Sequence, residues 1–261
     1  MVAIALAAAL SPATAGSPWG GGVFDPRRFH LAASNATAAA GVWVFRGNEP
    51  IEVDRESGRR VFAYETLMRL MHERAPEMPK DVWLVDLSFL DAEWEDARVE
   101  RDFFISGAVR GRVMRWPLLG ALPVDPAHFH NSTRVRMAQS DVWAVDRLPE
   151  RVQEIRALLR GDHDARERMG GAGLPLAVYG HCEAGCDRTG DFMAALYMSA
   201  AGMTVEEAWE RDARECGRPP NTLAEPAIKW FCLWMQYWAT PPHGEEVGGE
   251  RGCIQDLPRG G

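Results

Sequence analysis

Short apolar runs and stripes of helical period take turns along this chain. Val42 to Phe45 form an apolar run closed by Gly47-Asn48-Glu49-Pro50, which reads as a strand entering a turn. Over 61–75, Phe62, Leu67, Leu70 and Met71 recur at helical spacing. Residues 81–90 are apolar at Val82, Leu84, Val85 and Leu87, which predicts a strand buried on both faces. A weaker strand is expected over 112–120, ended by Pro117, and another over 133–139. Over 148–161, Pro149 suits a first turn, Val152, Ile155, Leu158 and Leu159 form one stripe, and Gly161 ends the helix. A polar, glycine-rich connection at 161–175 leads to a short buried strand at 176–179. Helices are expected at 189–201, after a capping box at Thr204 and Glu207, and at 226–238. In the last, Trp230, Trp234 and Trp238 make a stripe for core packing. Strands alternating with helices predict an α/β fold of three layers, a central mixed sheet flanked by helices.

Residues 1–40 are rich in Ala, Gly, Ser and Pro, so order is expected to begin near 41. The apolar run at 2–10, followed by Ala13-Thr14-Ala15, reads as a signal peptide over 1–15, with a linker over 16–40. That run is too short to span a bilayer, and no later run is longer. Sequons at Asn35 and Asn131 also point to secretion; the alternative is an alanine-rich leader on a cytoplasmic protein. One folded domain is expected over 41–239 and a flexible tail over 240–261.

The chain has 261 residues, 46% of them hydrophobic and 25% charged, enough to bury a core. Its formal net charge of −8 argues against nucleic-acid or membrane-surface partners. Lys80 and Lys229 are the only lysines. Five cysteines, at 182, 186, 216, 232 and 253, lack zinc-site spacing, and no metal ligand set is expected. An odd count fits one reactive thiol with two disulfides, or five reduced thiols in the cytoplasm.

The chemistry concentrates in "HCEAGCDRTG", residues 181–190, set between an expected strand and an expected helix. Such a strand–loop–helix is an anion site, because loop and helix N–H groups turn inward toward the anion. The loop comprises His181, Cys182, Glu183, Ala184, Gly185, Cys186, Asp187 and Arg188. Gly185 allows close backbone approach, and Arg188 can fold back with two parallel donors for phosphate oxygens. In that positive field Cys182 is favoured as thiolate and poised for in-line attack on phosphorus. Thr189 can donate to its sulfur. His181 orients the loop.

The stretch resembles the His-Cys-x5-Arg-Ser/Thr signature of the protein tyrosine phosphatase superfamily. The resemblance spans residues 42–238 and is strongest at 181–201. It implies a tyrosine-phosphatase-like fold and a cysteine-dependent phosphomonoester hydrolase that needs no cofactor and passes through a phosphocysteine. "HCEAG" is similar to the secreted cysteine phytases, "DRTG" to atypical dual-specificity and lipid phosphatases. The substrate is therefore a phosphoprotein or, alternatively, an inositol phosphate or phosphoinositide; a catalytically weak phosphate-binding pseudophosphatase is a third reading. The family's general acid maps onto "QSDVWAVDRLPERV", where Asp141 lies eight residues before Pro149. Ser140 stands where the aspartate is expected, and the polar insertion at 161–175 lengthens the gap to Cys182. Asp187 is the rival acid, with Asp146 and Asp125 behind it. Arginines 110, 112, 115, 134 and 136 could line a second phosphate subsite or be solvated charges. Cys186 has no family counterpart; it is either a filler or a resolving thiol for oxidised Cys182.

Overall fold

The computed structural model describes residues 23–37, 41–91, 96–119, 124–139, 141–171, 173–222, 224–237 and 253. The leader at 1–15, Ser140, Trp238 and the tail apart from Cys253 lie outside them. The strands are β1 (His30–Asn35), β2 (Val42–Asn48), β3 (Ile51–Val53), β4 (Arg60–Phe62), β5 (Trp83–Ser88), β6 (Gly111–Arg115) and β7 (Leu176–Cys182). The helices are α1 (Tyr64–Arg74), α2 (Asp96–Ile105), α3 (Asn131–Gln139), α4 (Leu148–Leu159), α5 (His163–Arg168), α6 (Asp187–Ala201), α7 (Val205–Cys216) and α8 (Ala224–Tyr237). One mixed sheet runs in the order β1-β2-β7-β5-β6, with β1 antiparallel to β2 and the other pairings parallel. β3 and β4 form a separate hairpin.

β7 lies at the centre, hydrogen-bonded on both sides and buried along its whole length. Its alternation divides the molecule. Leu176, Val178 and Cys182 face a core built with α4, α6 and α8; Ala177 and Tyr179 face one built with α1, Phe29 and Phe45. These are the three layers expected. The strand runs beyond the apolar 176–179 because β2 and β5 continue to pair with it through Gly180 and His181. It delivers Cys182 at its very end, above the sheet's carboxyl edge.

Four expectations are corrected. Residues 133–139 form the body of α3, not a strand: the His130 carbonyl accepts from Thr133 and Arg134 to start a turn, and Ala138 is buried in the core. Alternation over so few residues cannot separate the two periods. β1 lies inside the stretch read as a linker; "HLAASN" has little strand propensity and is held by pairing with β2. The glycine-rich connection contains α5, capped by the Asp162 side chain on the Ala165 N–H. In the stretch read as a flexible tail, Cys253 is buried and disulfide-bonded to Cys232 on α8.

α6 carries the loop into the core. Phe192 is fully buried on it, 4.8 Å from the Phe89 ring and 6.2 Å from Trp116. Phe192→Ala should cost about 3–5 kcal/mol, read as a lower urea midpoint at unchanged m-value.

Candidate active site

Residues 183–186 turn from β7 into α6, and three successive carbonyls there are taken up from outside. Glu49 N–H donates to the Glu183 carbonyl (3.3 Å), Arg28 Nη1 to that of Ala184 (2.7 Å) and Arg46 Nη2 to that of Gly185 (2.8 Å). A trans peptide sets C=O and N–H in opposite directions. The N–H groups of Ala184, Gly185 and Cys186 therefore face into the loop, where the first turn of α6 adds its own free donors. Gly185 is left-handed (φ 71°), and a Cβ on it would lie 2.4 Å from the Gly47 carbonyl oxygen. Glycine is required there twice over.

The support beneath is ionic. Arg46 is fully buried, with Asp212 at 2.5 Å and Glu215 at 3.1 Å. Tyr197 donates to Glu215 at 2.6 Å, and Arg211 pairs with the same carboxylate. Burial alone would lower the Arg46 pKa, but these acids hold it above its ordinary value. Burial lifts Asp212 to about 6 even with Arg46 against it. The first turn of α6 lies so close that a Cβ on Gly190 would meet Asp212 at 2.4 Å.

Cys182 is 4% exposed and is the one free cysteine. Arg188 is half-buried and bonds to no described residue, which leaves its guanidinium open to an anion. The Thr189 hydroxyl is buried and hydrogen-bonds to no described atom, so the bond expected to sulfur is not formed. Glu183 and Ala184 are half-buried, and both act through their carbonyls. Cys186 is disulfide-bonded to Cys216, which removes it as a resolving thiol for Cys182. Asp187 is clamped by Arg218 (2.9 and 3.2 Å) and accepts from the Asn221 N–H. Burial would raise its pKa; Arg218 outweighs burial and holds the carboxyl low, which makes it a poor proton donor. Asp141 lies in a short 3-10 turn, Asp141–Trp143, and its side chain is outside the described residues. Asp146, on the same segment, is 5% exposed; burial raises its pKa. Asp125 is paired with Lys229 and caps Ala127.

His181 points to the opposite face of the sheet from Cys182. Its backbone carbonyl accepts from Phe89 (2.9 Å), as expected of a loop-orienting residue. Its ring lies 2.9 Å from Asp86 and 3.5 Å from Glu100, all three fully buried, and Arg115 sits on the far oxygen of Glu100 at 3.1 Å. Burial would lower the His181 pKa, but Asp86 and then Glu100 raise it overall. Asp86, Glu100 and His181 are ligand-type groups with donor atoms within 4.8 Å of one another. Arg115 lies against Glu100 as well, so the group is also a buried ion-pair cluster, in which burial and Asp86 push Glu100 up to about 7. Beside it, burial and the neighbouring Asp96 push Glu49 up to about 9.

No protein-family model matches the sequence, and no curated protein does. Solved structures similar to it include a mutant form of Tk-PTP (16% identity, TM-score 0.38, 76% of this chain and 93% of that one). PTPMT1 is similar at 16% identity and TM-score 0.38, over 78% and 94% of the two chains. The core catalytic domain of the PP-IP phosphatase SIW14 from S. cerevisiae follows at 11%, 0.37, 80% and 88%. What the chain shares with the protein tyrosine phosphatase signature is the stretch His181 to Gly190. These overall likenesses are weak, and the chemistry is read from the loop itself.

Sequence reasoning missed the loop's outer ring: Arg28, Arg46, Glu49, Asp212, Glu215, Cys216 and Arg218. One signal was present, since Arg46 directly follows the apolar run "VWVF" in a strand buried throughout. Four of the five arginines suspected of a second subsite are engaged elsewhere, while the fifth, Arg136, is exposed on α3. Arg110 pairs with Asp81, Arg112 reaches the Arg168 carbonyl, Arg115 holds Glu100 and Arg134 caps carbonyls at 126 and 127.

Gly185→Ala should lower kcat/KM on the order of a hundredfold while the fold persists by circular dichroism. Glu49 is protonated more readily folded than unfolded. Its contribution is full below the ordinary carboxylate value of 4.5 and is lost as pH rises toward about 9. Glu49→Gln should therefore raise Tm at pH 9 by several degrees, at about 2–4 °C per kcal/mol, and the gain should vanish near pH 5.

Proposed function

We propose that this chain is a cysteine-dependent phosphomonoester hydrolase. The supporting observation is the loop's three outward-held carbonyls, which direct its N–H groups toward the space beside Cys182 and the open guanidinium of Arg188. The phosphate oxygens take the inward N–H groups and Arg188 in a bidentate pair. The Cys182 thiolate attacks phosphorus, the ester oxygen leaves, and a phosphocysteine remains. A general acid protonates the leaving oxygen and then, as base, activates water that returns the sulfur. That acid comes from the 141–146 segment: Asp141 as the resemblance implies, with Asp146 as the alternative because burial keeps its proton. The pairing of Asp187 with Arg218 counts against it as the acid.

The cations around the loop favour a single phosphate. Arg46 and Arg218 are spent on carboxylates and loop carbonyls, and Arg28 on Ala184 and Asp25. Among the described residues of the loop and its ring, Arg188 alone is left for substrate. A phosphotyrosine-type or dual-specificity substrate is the reading adopted; an inositol polyphosphate needs further cations. Two disulfides, Cys186–Cys216 and Cys232–Cys253, support an oxidising compartment and hence the secretory route. Of the two sequons, Asn131 is exposed, whereas the Asn35 amide donates to the Leu159 carbonyl. No described helix is long and apolar enough to cross a membrane.

Cys182→Ser should abolish p-nitrophenyl phosphate hydrolysis, and Arg188→Lys should cost at least about a hundredfold in kcat/KM, because an ammonium cannot span two oxygens. Full turnover by Cys182→Ser would end the proposal. Release of phosphate from inositol hexakisphosphate in preference to a phosphotyrosine peptide would move the substrate to the other branch. Of Asp141→Asn and Asp146→Asn, the one that loses the alkaline limb of the kcat profile marks the acid.

A further inference from the structure

The end of α7 holds the loop in three ways. Asp212 and Glu215 fix Arg46, which holds the Gly185 carbonyl. Arg218, just beyond the helix, clamps Asp187. Between them Cys216, the last residue of α7, is bonded to Cys186 at the loop's last corner, where β7's turn becomes α6. Both sulfurs are buried, and the bond spans 30 residues of sequence. It is the covalent member of the set. The Cys186 N–H is one of the three turned into the loop, so the bond also fixes the direction of a donor.

We propose that Cys216 is a positioning residue of the active site, acting through its disulfide with Cys186, and that a dithiol reductant lowers the enzyme's activity through it. This rests on the hydrolase reading above. Reductants usually protect a cysteine nucleophile; here the nucleophile has no disulfide partner and the support does. In the exchange, dithiothreitol supplies two electrons and two protons. The Cys186–Cys216 bond breaks, both residues become thiols, and the reductant closes to its cyclic disulfide. Cys182 gains and loses nothing. The loop corner, no longer tied to α7, spreads over several arrangements, and its donors no longer converge.

The test compares the full chain with Cys186→Ser/Cys216→Ser and Cys232→Ser/Cys253→Ser. The second pair removes the disulfide whose cysteines both lie outside the loop, Cys232 on α8 and Cys253. Three quantities are read: kcat/KM for p-nitrophenyl phosphate, the pH profile of Cys182 alkylation by iodoacetamide, and Tm. Cys186→Ser/Cys216→Ser should lose on the order of tenfold or more in kcat/KM, with its alkylation profile displaced to higher pH. Cys232→Ser/Cys253→Ser should lose Tm and keep both of the other readouts. If the first variant does not fold, wild type reduced with dithiothreitol, with its thiols counted, gives the same readouts. A folded Cys186→Ser/Cys216→Ser with wild-type kcat/KM and alkylation profile overturns the inference, as does undiminished activity of wild type in dithiothreitol once thiol counting shows Cys186 and Cys216 reduced. No turnover by any form would sink the hydrolase reading instead, and the alkylation profile would then decide this one alone.

Discussion

A loop that turns its backbone N–H groups inward must have its carbonyl oxygens occupied elsewhere. That constraint organises this molecule. Each peptide that turns a donor inward must turn an acceptor outward, and an unpaired buried acceptor is costly. Three separate donors, from Arg28, Arg46 and Glu49, meet three successive acceptors. Two of these residues belong to β2 or the turn that follows it, so the strand paired along β7 also shapes the loop that β7 enters. The guanidinium of Arg46 can lie fully buried only because α7 supplies two carboxylates for it. Buried ion pairs of this kind add little net stability; their use is to fix geometry.

The sheet separates two kinds of electrostatics. On the face of Cys182 the start of α6 carries the uncommitted Arg188 beside two carboxyls, Asp187, which Arg218 holds, and the buried Asp191. On the face of His181 the carboxylates of Asp86 and Glu100 lie fully buried against its ring. Two adjacent residues of one strand thus carry opposite surroundings, because consecutive side chains alternate. Cys182 lies on the face opposite Asp86 and Glu100, and the histidine anchors the strand end between them.

The sheet, the helices after the loop and the strand–loop–helix setting of the loop were legible in the sequence, since each rests on local pattern. "LAVY", "HCEAGCDRTG" and the helix after it specify a strand, a turn and a helix with little need of distant contacts. What escaped was non-local. β1 is a strand by virtue of β2, not of "HLAASN". α3 is a helix whose buried Ala138 packs in the core that α8 shares, although its sequence alternates. Cys216 lies 30 residues from Cys186, and Asp212 and Arg46 are farther apart still. The cysteine count allowed two disulfides and one thiol as one of two readings, the other being five reduced thiols, and no spacing says which pair forms. Asp187 looked free to act as an acid because Arg218 is joined to it only by the fold.

The central claim is that Cys182 becomes covalently phosphorylated. Rapid-quench mass spectrometry of the enzyme mixed with p-nitrophenyl phosphate tests this most directly. The account predicts one transient phosphoryl group on the peptide that carries Cys182, formed in a burst with nitrophenol release and absent in Cys182→Ser. Steady nitrophenol release with no phosphoryl group on that peptide, or the same turnover in Cys182→Ser, would contradict it.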